Sequence, residues 1–181
     1  ALESLVPDDP DGVSVGVGTG RFAAPLGVRT GVDPSRGMLR RARERGITVV
    51  RGVGEALPFG DGSFDTVLMV TTVCFVDDLN AALREAYRVL RPGGRLVAGY
   101  VDRESALGRR YVEGREENPF YREATFVSTD EIDEALTSAG FGDRRYVQTV
   151  FGAPEGMGSP DEVREGHGDG SFIGVSASRD A

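Results

Sequence analysis

The sequence predicts an α/β fold: a parallel sheet with helices on both faces. Two observations lead there. Short β-branched runs such as Val13-Ser14-Val15 and Ile47-Thr48-Val49-Val50 read as buried parallel strands. Between them lie segments with helix caps and breakers, and strands alternating with helices imply one sheet covered on both sides. The first strand covers residues 13–15 and runs into glycines. Residues 21–26 leave room only for a short helix, limited by Pro25. The second strand runs from Thr30 to Val32 and ends at Asp33; Ser35 as N-cap and Gly46 as C-cap then bracket a helix over 35–45. The third strand is 47–50. The fourth is 65–70, after Pro58 and the Gly60-Asp61-Gly62 turn. Asp77 or Asp78 opens a helix that ends near Leu90, broken by Pro92-Gly93-Gly94, and the fifth strand follows over 95–101.

Residues 102–127 change character: Arg and Glu alternate with Tyr111, Phe120, Tyr121 and Phe126. A helix over about 105–116 and an extended aromatic segment are expected there. Ser128, Thr129 or Asp130 caps a helix to Ala139, stopped by Gly140. The sixth strand is 144–151 and the seventh 172–176, joined by a Gly/Pro-rich loop of a kind that carries function or disorder. No repeat or linker divides the chain, so residues 1–181 read as a single domain with a small inserted segment at about 102–127.

Chemistry enters with Gly16-Val17-Gly18-Thr19-Gly20, directly after the first strand. Glycines let the backbone turn tightly and approach a ligand that a side chain would block. Asp33, at the tip of the second strand, is placed to accept hydrogen bonds from both ribose hydroxyls of a nucleoside, although a plain N-cap role also suits it. Loop and acid together predict an adenosine-containing ligand at the carboxyl edge of the sheet. A dinucleotide fingerprint, Gly-x-Gly-x-x-Gly, would need its third glycine at position 21, where Arg21 stands; that disfavours a nicotinamide cofactor.

The spacing Gly16-x-Gly18-x-Gly20 resembles motif I of the class I S-adenosylmethionine-dependent methyltransferases. Arg51-Gly52-Val53-Gly54-Glu55-Ala56-Leu57-Pro58-Phe59 is similar to the segment after the third strand of their type 11 family. Ser63-Phe64-Asp65 resembles the lead-in to that family's fourth strand, and Arg88-Val89-Leu90-Arg91-Pro92-Gly93-Gly94 the helix end before its fifth. A narrower resemblance is to a small prokaryotic subgroup with a TT(I/V)CFVDD segment. It rests on Thr71-Thr72-Val73-Cys74-Phe75-Val76-Asp77-Asp78, Val101-Asp102-Arg103-Glu104-Ser105, Phe120-Tyr121 and Gln148-Thr149.

The resemblance implies a Rossmann-like three-layer sandwich whose mostly parallel sheet has seven strands, the last antiparallel. It implies S-adenosylmethionine as cofactor, S-adenosylhomocysteine as product, and in-line methyl transfer to a small-molecule acceptor, with small amines as the subgroup's label. The absence of Asn-Pro-Pro-Tyr after the fourth strand argues against planar amide or base nitrogens as acceptors. A non-catalytic S-adenosylmethionine-binding or partner-binding module is the alternative. Two departures keep it open: Ser14 and Val53 stand where relatives commonly carry acids. The dozen or so residues before the first strand are also fewer than the family's covering helices need.

By the same resemblance the cofactor-binding residues are Gly16, Val17, Gly18, Thr19, Gly20, Asp33, Pro34, Met38, Gly54, Glu55, Ala56, Thr71 and Thr72. Phe75, Tyr111 and Tyr121 are candidates to face the acceptor, with the aromatic segment either a lid or an anchor. His167 is the only histidine. The loop entering the antiparallel last strand would bring it to the cofactor's edge of the sheet as a general base oriented by Asp169, unless the loop is simply solvated. Cys74, the only cysteine, excludes an internal disulfide and reads as a small buried hydrophobe rather than a nucleophile. One Cys and one His leave no metal-ligand spacing.

The formal charge is −8, and all 21 basic residues are Arg. Such a surface disfavours nucleic acid and anionic lipid. With no apolar run of membrane-spanning length and no signal-like start, a cytoplasmic protein with no membrane partner is expected.

Overall fold

The computed structural model describes residues 1–152 and 161–180. After a 3₁₀ turn at Leu2–Ser4 come β1 (Gly12–Val15), β2 (Thr30–Asp33), α1 (Arg36–Glu44), β3 (Thr48–Arg51), β4 (Phe64–Val70), α2 (Leu79–Val89) and β5 (Leu90–Val101). Then follow α3 (Ala106–Glu113), α4 (Thr129–Ala139), β6 (Gly142–Thr149), β7 (Arg164–Glu165) and β8 (Phe172–Ser178). The sheet order is β3-β2-β1-β4-β5-β8-β6-β7. Strands β1 to β5 pair in parallel, and β8 runs antiparallel between β5 and β6.

Alternation along β4 shows how both faces are filled. Val67 and Met69 point into one apolar cluster with Leu83, Ala86 and Val89 of α2 and Ile132 and Leu136 of α4. Leu68 and Val70 point into the other, with Leu39 and Ala42 of α1 and Leu2 and Leu5 of the N-terminal segment. The three layers are therefore α2 and α4, the sheet, and α1 with the start of the chain.

Local chemistry sets most boundaries. Ser35 caps α1 by accepting from Met38 N at 3.4 Å, and Asp78 caps α2 by accepting from Ala81 N at 2.9 Å. Ser128 and Glu131 form a capping box at α4, which ends at Gly140 with φ +95°.

Three expectations need correction. The sheet has eight strands among the described residues, because the two-residue β7 pairs with the outer side of β6. Residues 21–26 form successive turns, not a helix: Pro25 has no N–H to donate and Gly27 turns back at φ +76°. β5 begins at Leu90 rather than 95, since the residues entering Pro92 take extended backbone and pair with Phe64. Part of the Gly/Pro-rich loop before β8, residues 153–160, lies outside the described residues.

Two buried polar side chains hold the loops beyond β5 and β6. Asp102 accepts from Glu104 N at 2.7 Å, Thr129 N at 3.2 Å and Thr129 Oγ1 at 2.5 Å, tying the start of α3 to that of α4. Tyr100 OH adds a bond to Thr129 Oγ1 at 3.2 Å. Gln148 Oε1 accepts from Asp169 N at 2.9 Å and Gly170 N at 2.7 Å, fixing the turn into β8. Asp102→Ala removes the acceptor of two buried donors on Thr129 and of the part-buried Glu104 N–H, and should lower unfolding free energy by about 2–4 kcal/mol in urea denaturation. A loss below about 0.5 kcal/mol, the scale of an ordinary surface substitution, would show that Asp102 does not hold this junction.

Candidate functional site

At the carboxyl ends of β1 to β4 the loops part around a cleft of about 690 Å³. Gly16 and Gly18 line it after β1; Asp33, Pro34, Ser35 and Met38 after β2; and Gly52 to Glu55 after β3. Thr71, Thr72 and residues 75–77 line it after β4, and Phe120 reaches it from the segment between β5 and α4. Four exposed apolar side chains, Met38, Val53, Phe75 and Phe120, face this one cleft; Phe120 is 80% exposed. An apolar ligand surface would cover them.

Asp33 organises the floor. It is 8% exposed; its Oδ2 accepts from Gly18 N at 2.9 Å and its Oδ1 from Ser35 N at 2.8 Å. The carboxylate thus pins the glycine loop to the entry of α1, and since Ser35 caps the helix, Asp33 is not its N-cap. A carboxylate has about four acceptor positions. Two are taken by these backbone N–H groups.

The glycine loop is shaped by close approach. Gly16, at φ +64°, lies so near Thr72 that a Cβ would meet its Oγ1 at 2.5 Å. Gly18, at φ +54°, has nothing within 4 Å of that position; its missing side chain is open space on the cleft side. Thr72 Oγ1 donates to Val15 O at 2.9 Å, joining the ends of β1 and β4. Thr71 sits at φ +54°, a strained backbone for a β-branched residue, and its N–H donates to Gly99 O at 2.7 Å.

The wall after β3 is clamped from α2. Glu85 Oε2 accepts from Leu57 N at 2.7 Å, while Arg88 donates to Leu57 O at 3.1 Å, Phe59 O at 2.9 Å and Asp61 Oδ1 at 2.8 Å. The hydrogen bond from Arg88 holds the Glu85 carboxyl below its usual range. Glu55 reaches the other way, and its Oε1 accepts from Asp77 N at 2.6 Å and Asp78 N at 3.3 Å.

Of the thirteen residues expected at the cofactor, Gly16, Gly18, Asp33, Pro34, Met38, Gly54, Glu55, Thr71 and Thr72 line the cleft together. Val17, Thr19, Gly20 and Ala56 do not: Val17 is buried in the α1-side core, and Gly20 packs on Ala42 and Ile47. Of the acceptor candidates only Phe75 lines it. Tyr111 and Tyr121 stack on each other at 4.5 Å and pack on Phe126, so they anchor the segment that presents Phe120. Burial pushes the Tyr121 hydroxyl up to about 12.

His167 lies elsewhere. The β7 hairpin carries its loop to the outer edge of the sheet, where the exposed imidazole packs on Tyr146 of β6 at 5.0 Å. β6 is three strands from β4, about 14 Å at usual strand spacing. Asp169 gives its backbone N–H to Gln148. Among the described residues no group of three or more His, Cys, Asp or Glu is arranged to hold a metal ion, and no helix is long and apolar enough to cross a membrane.

Comparison with known proteins gives this geometry a context. The methyltransferase-domain family matches residues 13–98. A crystal structure from Thermotoga maritima, of an S-adenosylmethionine-dependent methyltransferase described as a possible histamine N-methyltransferase, is 47% identical. It superposes with a TM-score of 0.96, over 99% of this chain and 86% of that one. An uncharacterised protein of Methanocaldococcus jannaschii is 40% identical over 179 residues, 99% of this chain and 86% of its own. The demethylmenaquinone methyltransferase of Listeria welshimeri is 30% identical over 155 residues, 71% of this chain and 66% of its own.

Cys74, next to Phe75 in the chain, is half-buried rather than fully buried: its Sγ lies 3.5 Å from Thr71 O, and its carbonyl accepts from Thr125 N at 2.7 Å. Burial pushes the thiol up to about 11. A thiol raised in the folded state ionises first in the unfolded chain, so it subtracts stability as pH climbs from about 8.5 toward 11. Alkylation of the native protein should be slow at neutral pH and still accelerating at about pH 10, against the ordinary thiol midpoint of about 8.5. A rate that levels off near that ordinary midpoint would contradict the burial of this group.

Proposed function

The chain belongs to the S-adenosylmethionine-dependent methyltransferases, and from that premise we propose that its cleft seats the cofactor against Asp33 and presents it to a small amine beside Phe75 and Phe120. The observation that carries the reading is Asp33: a buried carboxylate, fixed by two backbone N–H groups, with two acceptor positions left at the cleft. Those positions suit the paired hydroxyls of a ribose. The open space at Gly18 admits a ligand to within contact of the backbone. Met38 and Val53 offer apolar surface on either side of an adenine ring, whose edge would meet backbone groups near Gly54. Gly16, Thr71 and Thr72 line the middle, and Pro34 completes the Asp33 side.

When bound, S-adenosylmethionine supplies a methyl group already activated on a sulfonium. The residues of this chain are left with orientation and exclusion of water. Phe75 and Phe120 supply the apolar cover. No histidine lines the cleft, and Cys74 is held as a neutral thiol. A neutral amine needs no base to attack, so this lining favours amines over oxygen or carbon acids. The description of the Thermotoga maritima neighbour supports the same class. We place the chain in the TT(I/V)CFVDD subgroup and read residues 1–181 as one unit, with the segment at 102–127 supplying Phe120.

Calorimetric titration should show binding of S-adenosylmethionine and S-adenosylhomocysteine and none of NAD. Asp33→Ala should weaken the former by about 1.5–3 kcal/mol, the scale of hydrogen bonds to a charged group. Unchanged affinity in that variant, or preference for NAD, would overturn the reading. In a panel of small amines, thiols and phenols, methylation should appear on amines, and His167→Ala should keep most of the turnover. A drop of about 10²–10⁴-fold in that variant would restore His167 as the base.

A further inference from the structure

Resting on the cofactor reading above, we propose that Glu55 is a positioning residue that transmits cofactor binding to the acceptor side of the cleft. The cleft has two walls. Gly16, Gly18, Asp33 and residues 52–55 make the cofactor wall; Phe75, Val76, Asp77 and Phe120 make the other, with Thr71 and Thr72 between. Glu55 belongs to the first by chain position, yet its carboxylate is spent on the second, where Oε1 accepts from Asp77 N at 2.6 Å and Asp78 N at 3.3 Å.

These two N–H groups stand just ahead of α2, whose cap is the side chain of Asp78 itself. Residues 71–78 are therefore held at both ends. Thr72 ties the start to Val15 O, and Glu55 ties the end. Between them lie Phe75, half exposed in the cleft, and Cys74, whose carbonyl takes Thr125 N from the segment that carries Phe120.

Backbone packing reinforces the link. A Cβ at Gly54 would meet Val15 Cγ1 at 3.2 Å and Val76 Cγ1 at 3.4 Å, so little slack separates the walls. A ligand that orders residues 52–55 fixes the Glu55 carboxylate, and the carboxylate fixes the amides of Asp77 and Asp78. Acceptor binding then meets a wall already in place, with less ordering left to do. An isolated wall after β4 would instead gain nothing from an occupied cofactor wall.

Hydrogen–deuterium exchange on the wild type, Glu55→Gln and Glu55→Ala, each with and without S-adenosylhomocysteine, tests this. Without ligand, the Asp77 and Asp78 amides should exchange about tenfold faster or more in Glu55→Ala, the factor carried by one hydrogen bond to a charged acceptor. With ligand, the wild type should gain protection at both 16–20 and 75–78, and Glu55→Ala at 16–20 alone. Glu55→Gln, which keeps an acceptor oxygen, should retain much of the response at 75–78. An equal gain at 75–78 in wild type and Glu55→Ala would overturn the coupling and leave the cofactor reading intact. Absence of protection anywhere in the wild type would overturn the cofactor reading and the coupling with it.

Discussion

The site depends on one carboxylate. Asp33 closes β2 with its carboxylate buried, and two backbone N–H groups donate to it, one to each oxygen. One comes from the glycine loop after β1 and the other from the turn that enters α1. A buried carboxylate left unpaired is costly, so these bonds fix where both segments sit. The same placement sets the charge near the N-terminus of α1, where the helix dipole favours it. What the carboxylate does not spend on the backbone is left facing the cleft.

The remaining loops follow one pattern, in which a side chain holds backbone far away in sequence. Glu85 and Arg88 on α2 clamp residues 57–61. Asp102 joins the openings of α3 and α4. Gln148 fastens the turn into β8. The sheet supplies rigidity, and these bonds carry it into the loops that shape the cleft. The cleft is thus bounded by loops held through side-chain bonds from several elements and not by the glycine loop alone.

Much of this was legible from local chemistry. The caps at Ser35 and Gly140 are short-range signals that stand in the structure; among the alternatives the sequence leaves open, Asp78 and Ser128 are the caps, and Arg45 is the C-cap of α1, with Gly46 following it at φ +79°. The glycine spacing and Asp33 located the cleft because a tight turn and a strand tip are written in adjacent residues. What escaped was long-range. β7 has two residues and no periodicity to detect, yet it carries His167 away from the cleft. For Tyr111 and Tyr121 the sequence leaves lid and anchor open, because spacing cannot tell an aromatic facing outward from one stacked on its neighbour. Phe120, beside Tyr121 in sequence, is the one that reaches the cleft. Glu55 lines the cleft as the resemblance implies, but the sequence does not show that its carboxylate also accepts from the amides of Asp77 and Asp78, 22 and 23 residues away.

The central claim is that Asp33 both builds the loop and receives the cofactor. A crystal structure of the protein with S-adenosylhomocysteine tests it most directly. The account predicts ribose hydroxyls on the two free acceptor positions of Asp33, with its bonds to Gly18 N and Ser35 N retained. A nucleoside bound elsewhere, or an Asp33 that touches only the backbone, would contradict it.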